Sequence, residues 1–155
     1  MLQRIQSIYL ALIILIGLAI ISFPFYTFFS PDGDYIFSLI NTSFTNAVQM
    51  DTLAINYLLI CIHCLFLIIT TITIFKFNKR MVQVQLINIV TVLIFILSGI
   101  IAYQYNELKI LAKLHTSIYF SPVLLFIPIT LILLLLAKAA IKKDEALVRS
   151  ANRLR

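Results

Sequence analysis

Four long apolar segments separated by polar connections dominate the pattern of this chain. The first is centred on Tyr9–Ile21, a run that carries no charged residue. A helix rises about 1.5 Å per residue, so about 20 apolar residues cross a hydrocarbon core of about 30 Å. The pattern therefore predicts four membrane-spanning helices, over residues 5–26, 53–75, 86–103 and 122–140.

The connections predict the smaller elements. In the first connection, β-forming residues flank the turn sequence Pro31-Asp32-Gly33-Asp34, which predicts a small extracytoplasmic β-hairpin from Phe25–Phe29 and Tyr35–Ile40. Residues 104–121 mix charged and apolar positions, as in a short amphipathic segment at a membrane interface. Pro128 predicts a kink in the fourth helix.

The last segment, residues 141–155, is charged but contains neither Pro nor Gly. Its apolar residues recur at helical spacing, which predicts that the fourth helix continues out of the membrane as a cytoplasmic extension. The predicted fold is an all-α membrane protein. It is a single domain of residues 1–155, with a four-helix transmembrane bundle, a small β-hairpin and this helical tail.

Composition supports the membrane interpretation and orients it. The 155 residues are 62% hydrophobic and 12% charged, and a soluble domain of this size needs more charge to cover its exterior. Of the 12 Lys and Arg residues, all but Lys109 and Lys113 lie in the N-terminus, the second-to-third connection and the tail. Cytoplasmic loops carry the excess of Lys and Arg, so both termini are predicted to be cytoplasmic.

Three motifs carry a family resemblance. They are MLQRIQSIYL at residues 1–10, Asn78-Lys79-Arg80 followed by Gln83 and Gln85, and KDE-x-LVRS-x-x-RLR at residues 143–155. Together they resemble an uncharacterised family of small four-span inner-membrane proteins from Bacteroidetes. The resemblance covers the whole chain. It implies a bacterial inner membrane location and this topology, and it implies no activity or catalytic residue.

The basic residues of the cytoplasmic face are the first candidate site. Anionic lipid attracts any juxtamembrane basic helix, but lipid attraction does not require the definite order of acidic, apolar and basic residues in the tail. We therefore expect a non-enzymatic accessory or scaffold subunit that docks a cytoplasmic protein partner, with oligomerisation left open. Nucleic acid is not an expected partner, because no aromatic stacking residue follows the arginines. The candidate residues are Arg4, Lys79, Arg80, Lys142, Lys143, Arg149, Arg153 and Arg155.

Polar residues inside the spans are the second candidate set, because polar groups are costly in lipid. Asn56, His63 and Asn88 are candidate intramembrane contacts, and His63 is expected to bond Asn88 or Thr91 on a neighbouring helix. No span contains a carboxylate, and the run Cys61-Ile62-His63-Cys64 on one helix cannot present three ligands to one ion. No metal, cofactor or catalytic constellation is expected.

Two alternative functions remain from the same segments. Cys61 and Cys64 lie one helical turn apart, which is the arrangement considered for a membrane thiol-redox protein. A thiol surrounded by lipid lacks the thiolate that reacts, so a packing role is favoured over redox chemistry. The other alternative, a small transporter or lipid-binding protein, requires a polar cavity that reaches His63.

Overall fold

The computed structural model describes residues 5–30, 33–45, 50–77, 79–111 and 117–153. Four α-helices and a short 3₁₀ helix at Pro122–Leu125 alternate with five strands. The helices are α1 (Ile5–Ser22), α2 (Tyr57–Phe75), α3 (Arg80–Leu111) and α4 (Phe126–Arg153). The strands are β1 (Tyr26–Ser30), β2 (Gly33–Phe37), β3 (Asn41–Thr45), β4 (Met50–Ile55) and β5 (Ser117–Phe120).

The four helices form a bundle in which α1 contacts α2 and α4, while α3 contacts the same two neighbours. All four are long and apolar enough to cross a membrane. Their outward faces are apolar as well: Leu15, Ile68, Phe95 and Leu135 are each about 60% exposed, which is unusual outside an apolar surrounding. The prediction of four apolar helices is confirmed.

The predicted ends of the first two spans were wrong. The first span was extended to residue 26, but α1 ends at Ser22, before Pro24, and the chain then enters β1. The second span was started at residue 53, but residues 50–55 form strand β4 and the helix begins at Tyr57. The apolar run Leu53-Ala54-Ile55 merges with the helix in the sequence, whereas pairing with β3 holds it extended.

The third helix is much longer than the predicted span of residues 86–103. It runs unbroken from Arg80 to Leu111, so residues 104–111 continue the helix and do not form a separate interfacial segment. Its start includes the polar step at Gln83, because that side chain is buried and its Nε2 donates to the Thr73 carbonyl at 2.9 Å. Burial with a partner thus allows a polar residue inside the helix, ahead of the predicted start at residue 86.

A five-stranded antiparallel sheet, in the order β4-β3-β2-β1-β5, stands where a small hairpin was predicted. The predicted hairpin is its β1–β2 pair, in which Tyr26 faces Phe37. The sheet is larger than the predicted hairpin for two reasons. The rest of the first connection forms β3 and β4, and β5, from the α3–α4 connection, pairs with β1. Pairing between distant segments leaves no local signal in the sequence.

Pro128 does not require the predicted kink. It is the third residue of α4, where backbone N–H groups have no intrahelical acceptor. The preceding turn, Pro122–Leu125, is 3₁₀, and Ser121 caps it by accepting from the Val123 N–H at 3.4 Å. The proline therefore marks the start of the helix.

Two apolar clusters form the core. One lies between α1, α3 and α4 with Phe66 of α2, and includes Leu10, Ile13, Ile87 and Leu134. The other joins the sheet to the helix ends nearest it: Phe25, Tyr26, Phe28 and Phe37 pack with residues such as Leu59 and Ile101. Most of the large side chains that the sheet contributes to this second cluster are aromatic, and they contact the helix residues directly. The sheet is therefore packed on the end of the bundle.

Candidate functional site

The described basic candidates lie at the end of the bundle remote from the sheet. Lys79 and Arg80 begin α3, and Lys142 and Lys143 lie on the far part of α4. Arg80 Nη1 donates to the Asp144 carbonyl at 3.4 Å, so the start of α3 lies beside this part of α4. Lys79, Lys142 and Lys143 are exposed and Arg80 is half-buried. We call these four residues the basic end.

The remaining basic candidates are placed only in part. Arg4 and Arg155 lie outside the described residues. Arg149 and Arg153 belong to α4, which confirms the predicted helical tail as far as Arg153, but their side chains are outside the described part.

At the basic end, helix α4 has two faces. Residues four apart share a helix face, so Lys138 and Lys142 lie on one side of α4, while Lys143 and Leu147 lie on another. Leu147 is 61% exposed, and its neighbour Val148 is 43% exposed. Apolar surface therefore lies beside charge on the second face.

Lys138 is a residue that the sequence reasoning counted only as a charge. Its Nζ donates to Asn88 Oδ1 of α3 at 2.7 Å, which explains where Asn88 points. The expected pairing of Asn88 with His63 is wrong. The position of Lys138 in the sequence was the signal that could have singled it out. It directly follows the apolar run and precedes Lys142 by one turn.

His63 is buried and binds backbone. Its Nε2 lies 2.9 Å from the carbonyl oxygen of Gly17 in α1, a contact in which Nε2 must carry the proton. The other expected partner, Thr91, donates to the Ile87 carbonyl of its own helix. A Cβ on Gly17 would lie 2.7 Å from Leu67 Cδ2, so glycine permits the approach that brings His63 to this carbonyl.

Asn56 lies before α2 and outside the helical span in which it was expected. Its Nδ2 donates to the Ser38 carbonyl at 3.0 Å, and its N–H donates to the Ile40 carbonyl at 2.9 Å. The residue is buried and fastens the β2–β3 turn to the start of α2. It is therefore a structural link between sheet and bundle.

Cys61 and Cys64 are free, and both are exposed on the same face of α2. His63 takes the inward position between them, so the two thiols lie on the outer surface of the bundle. Within the described part of the chain, no three His, Cys, Asp or Glu side chains come together in a way that could hold a metal ion.

Two cavities lie near the junction of bundle and sheet. The inner one, with about 30 Å³ open to a water molecule, reaches His63 and Thr130 and is otherwise apolar. The outer one has about 340 Å³, opens on the side of α3 and α4, and includes the polar residues Ser98 and Asn106. Both cavities are lined by Ile101 and Ile127.

Tyr26 forms the floor of the outer cavity. Its ring stacks on Phe37 with centroids 4.7 Å apart, and its hydroxyl donates to the Ile101 carbonyl at 3.3 Å. Burial raises the pKa of Tyr26 well above its usual range, and the nearby Tyr105 raises it further. The cavity wall therefore presents a neutral phenol at physiological pH.

Two buried glutamines lie towards the same end of the bundle as the basic residues. Gln6 is one helical turn from the core residue Leu10, and Gln83 is one turn from Ile87. Neither the Gln6 amide nor Gln83 Oε1 has a hydrogen-bond partner among the described residues. The sequence motifs singled out this region, but not the burial of these side chains.

Comparison with known proteins identifies the family without adding an activity. No curated protein and no solved structure matches this chain. A family model described as a domain of unknown function, DUF4293, matches residues 2–154, almost the full length. The chain, with its four long apolar helices and capping sheet, belongs to this family of unknown function.

Proposed function

We propose that the chain is a multi-pass protein of a bacterial inner membrane, as its resemblance to the Bacteroidetes family implies, with both termini cytoplasmic. We further propose that it is a non-enzymatic accessory or scaffold subunit, which docks a cytoplasmic protein through the end of α4. The excess of Lys and Arg at the termini and the second-to-third connection supports the orientation.

The observation that carries the docking proposal is the length of α4. The helix runs without a break from Phe126 to Arg153, 28 residues. About 20 residues cross a bilayer, and the 3₁₀ turn before α4 uses part of that depth. The last two or three turns therefore extend beyond the membrane as a rigid helix, which presents its side chains in fixed order.

The chemistry of the partner follows from the second of the two α4 faces at the basic end. Lys143 and Leu147 share that face, and Val148 adjoins it. The centre of an interface is depleted of charged residues, as Leu147 and Val148 would provide, and lysine at its rim favours an acidic partner. We infer a helix or groove that is apolar in the middle and acidic at its edge.

The experiment is affinity purification of the full chain from its native membrane in mild detergent, followed by mass spectrometry. Deletion of residues 146–155 and the variant Lys143→Glu are both expected to leave membrane insertion unchanged and to lose one specific cytoplasmic partner. Lys109→Glu is the matched control, because Lys109 is an exposed lysine near the opposite end of the bundle. Retention of the same proteins by the deletion variant would overturn the docking proposal.

Binding of a lipophilic molecule is the second candidate function, and the outer cavity favours it. A space of about 340 Å³ with mostly apolar walls and a few polar groups falls in the range of small-molecule sites. Ala102 lines it and is exposed, so Ala102→Trp fills it without disturbing the core. Loss of a co-purified lipophile in Ala102→Trp, but not in the exposed Ala11→Trp, is the expected result.

A further inference from the structure

Lys138 occupies an unusual position for a charged residue. It lies 12 residues after Phe126, about 18 Å along α4, and the preceding 3₁₀ turn adds about 8 Å. The sum, about 26 Å, falls inside a hydrocarbon core of about 30 Å. If α4 crosses the bilayer as proposed, the base of this side chain lies just below the level of the lipid phosphates on the cytoplasmic side.

The partner that the structure shows for Lys138 does not balance its charge. Its ammonium donates to the neutral Asn88 amide at 2.7 Å. An ammonium has three donors, so two remain. A charge near lipid is costly unless it is paired, which indicates that an anion from outside the chain completes this position.

Neighbouring basic residues of α3 and α4 join this position into a cluster. Lys142 follows Lys138 by one turn on the same face, and Arg80 marks the membrane-distal end of the cluster through its contact with the Asp144 carbonyl. Asn88 accepts through Oδ1, so its Nδ2 is available as a donor.

We propose that this basic cluster binds the headgroup phosphate of an anionic phospholipid from the cytoplasmic leaflet. Lys138 and Lys142 contact the phosphate oxygens, and Asn88 holds Lys138 against α3. The proposal rests on the membrane placement above, but not on partner docking. An acidic protein would meet Lys143 and Leu147 beyond the membrane, whereas only a lipid phosphate reaches the depth of Lys138.

The test is native mass spectrometry of the full chain in mild detergent. Phosphatidylglycerol and phosphatidylcholine with identical acyl chains are added at equal concentration. The expected result is preferential retention of phosphatidylglycerol, reduced about fivefold in Lys138→Gln, since a basic residue near an anionic surface contributes about that factor. The control Lys109→Gln, which removes one charge elsewhere, is expected to keep the full preference.

A second variant separates lipid binding from a merely structural lysine. Asn88→Leu removes the contact with α3 but keeps the charge, so it is expected to lower the melting temperature while the preference for phosphatidylglycerol persists. The proposal is overturned if the wild-type chain retains both lipids equally. It is also overturned if Lys138→Gln and Lys109→Gln reduce the preference alike.

The outcome is independent of the docking proposal. Deletion of residues 146–155 is expected to keep the lipid preference, because Lys138 and Lys142 remain. Loss of the preference in this deletion would assign lipid binding to the tail and would overturn the proposed site at Lys138 and Lys142. Loss of the protein partner with an unchanged lipid preference is the result expected if both proposals hold.

Discussion

At the scale of single residues, one glycine and one histidine decide how two helices meet. Gly17 lacks the side chain that would collide with Leu67 and Phe66, and the resulting approach lets His63 reach a backbone carbonyl. The sequence contained both residues but not their pairing, because they are 46 positions apart. Helical spacing alone does place His63 on a different face from Cys61 and Cys64.

A valine at position 17 is therefore expected to destabilise the bundle. Gly17→Val forces Leu67 and Phe66 to move or α1 and α2 to separate, at a cost of about 1–3 kcal/mol. Thermal unfolding in detergent is the measurement. Ala11→Val, an exposed position on the same helix, is the control and is expected to change stability by less than about 0.5 kcal/mol. Equal melting temperatures for the two variants would contradict the close approach.

The two thiols are expected to be dispensable for stability. Both are exposed, so Cys61→Ser/Cys64→Ser is expected to alter the free energy of unfolding by no more than about 0.5 kcal/mol. The same double variant also tests the thiol-redox alternative. If it supports the same cellular phenotype as the wild-type gene, the two thiols are not needed for function. A loss above about 1 kcal/mol would show that these side chains pack against a partner surface.

At the scale of elements, helices were predicted well and the sheet poorly. Long apolar runs identify α1 to α4 because each helix satisfies its own backbone hydrogen bonds. Strand β5 forms its backbone hydrogen bonds with β1, about 90 residues earlier in the chain. Its four residues, Ser117–Phe120, are too few to show a periodic pattern. The same reason explains why β4 was taken as the start of a span.

Tyr26 of β1 provides an element-level prediction about pH. Its pKa is raised in the fold, so the neutral phenol is favoured there, whereas in the unfolded chain it ionises near pH 10. Its contribution to stability is complete below about pH 10 and is lost as the pH rises further, by up to about 1.4 kcal/mol per pH unit.

Unfolding measured by circular dichroism at pH 8, 10 and 11 is the corresponding measurement. Tyr26→Phe is expected to lose less stability than the wild type between pH 10 and 11, since it has no proton to release. Tyr119→Phe, at an exposed position of β5, is expected to follow the wild type. Parallel pH profiles for all three proteins would contradict the buried phenol.

At the scale of the whole molecule, the structure separates two ends. The sheet caps one end of the bundle, and Lys79, Arg80, Lys142 and Lys143 lie at the other. The distribution of Lys and Arg, which is a property of the sequence, agrees with this separation. The start of α3 and the far part of α4, which carry these basic residues, therefore lie on the same side of any membrane that the bundle crosses.

Site-directed labelling tests the proposed orientation. In the Cys61→Ser/Cys64→Ser background, single cysteines are placed by Lys109→Cys and Lys143→Cys. A membrane-impermeant thiol reagent is expected to label the first variant in intact spheroplasts and the second only after permeabilisation, because the positive-inside rule places Lys143 in the cytoplasm. The opposite labelling pattern would invert the topology and remove the basis for cytoplasmic docking.

The sequence by itself determined the four apolar helices, the helical tail and the two-sided distribution of charge. Each of these is encoded locally, because helix hydrogen bonds, hydropathy and charge counts depend on neighbours along the chain. Tertiary structure alone decided the five-stranded sheet, the contact of His63 with Gly17, the outward position of the thiols and the pairing of Lys138 with Asn88. These features join distant segments, and only packing selects which partners meet.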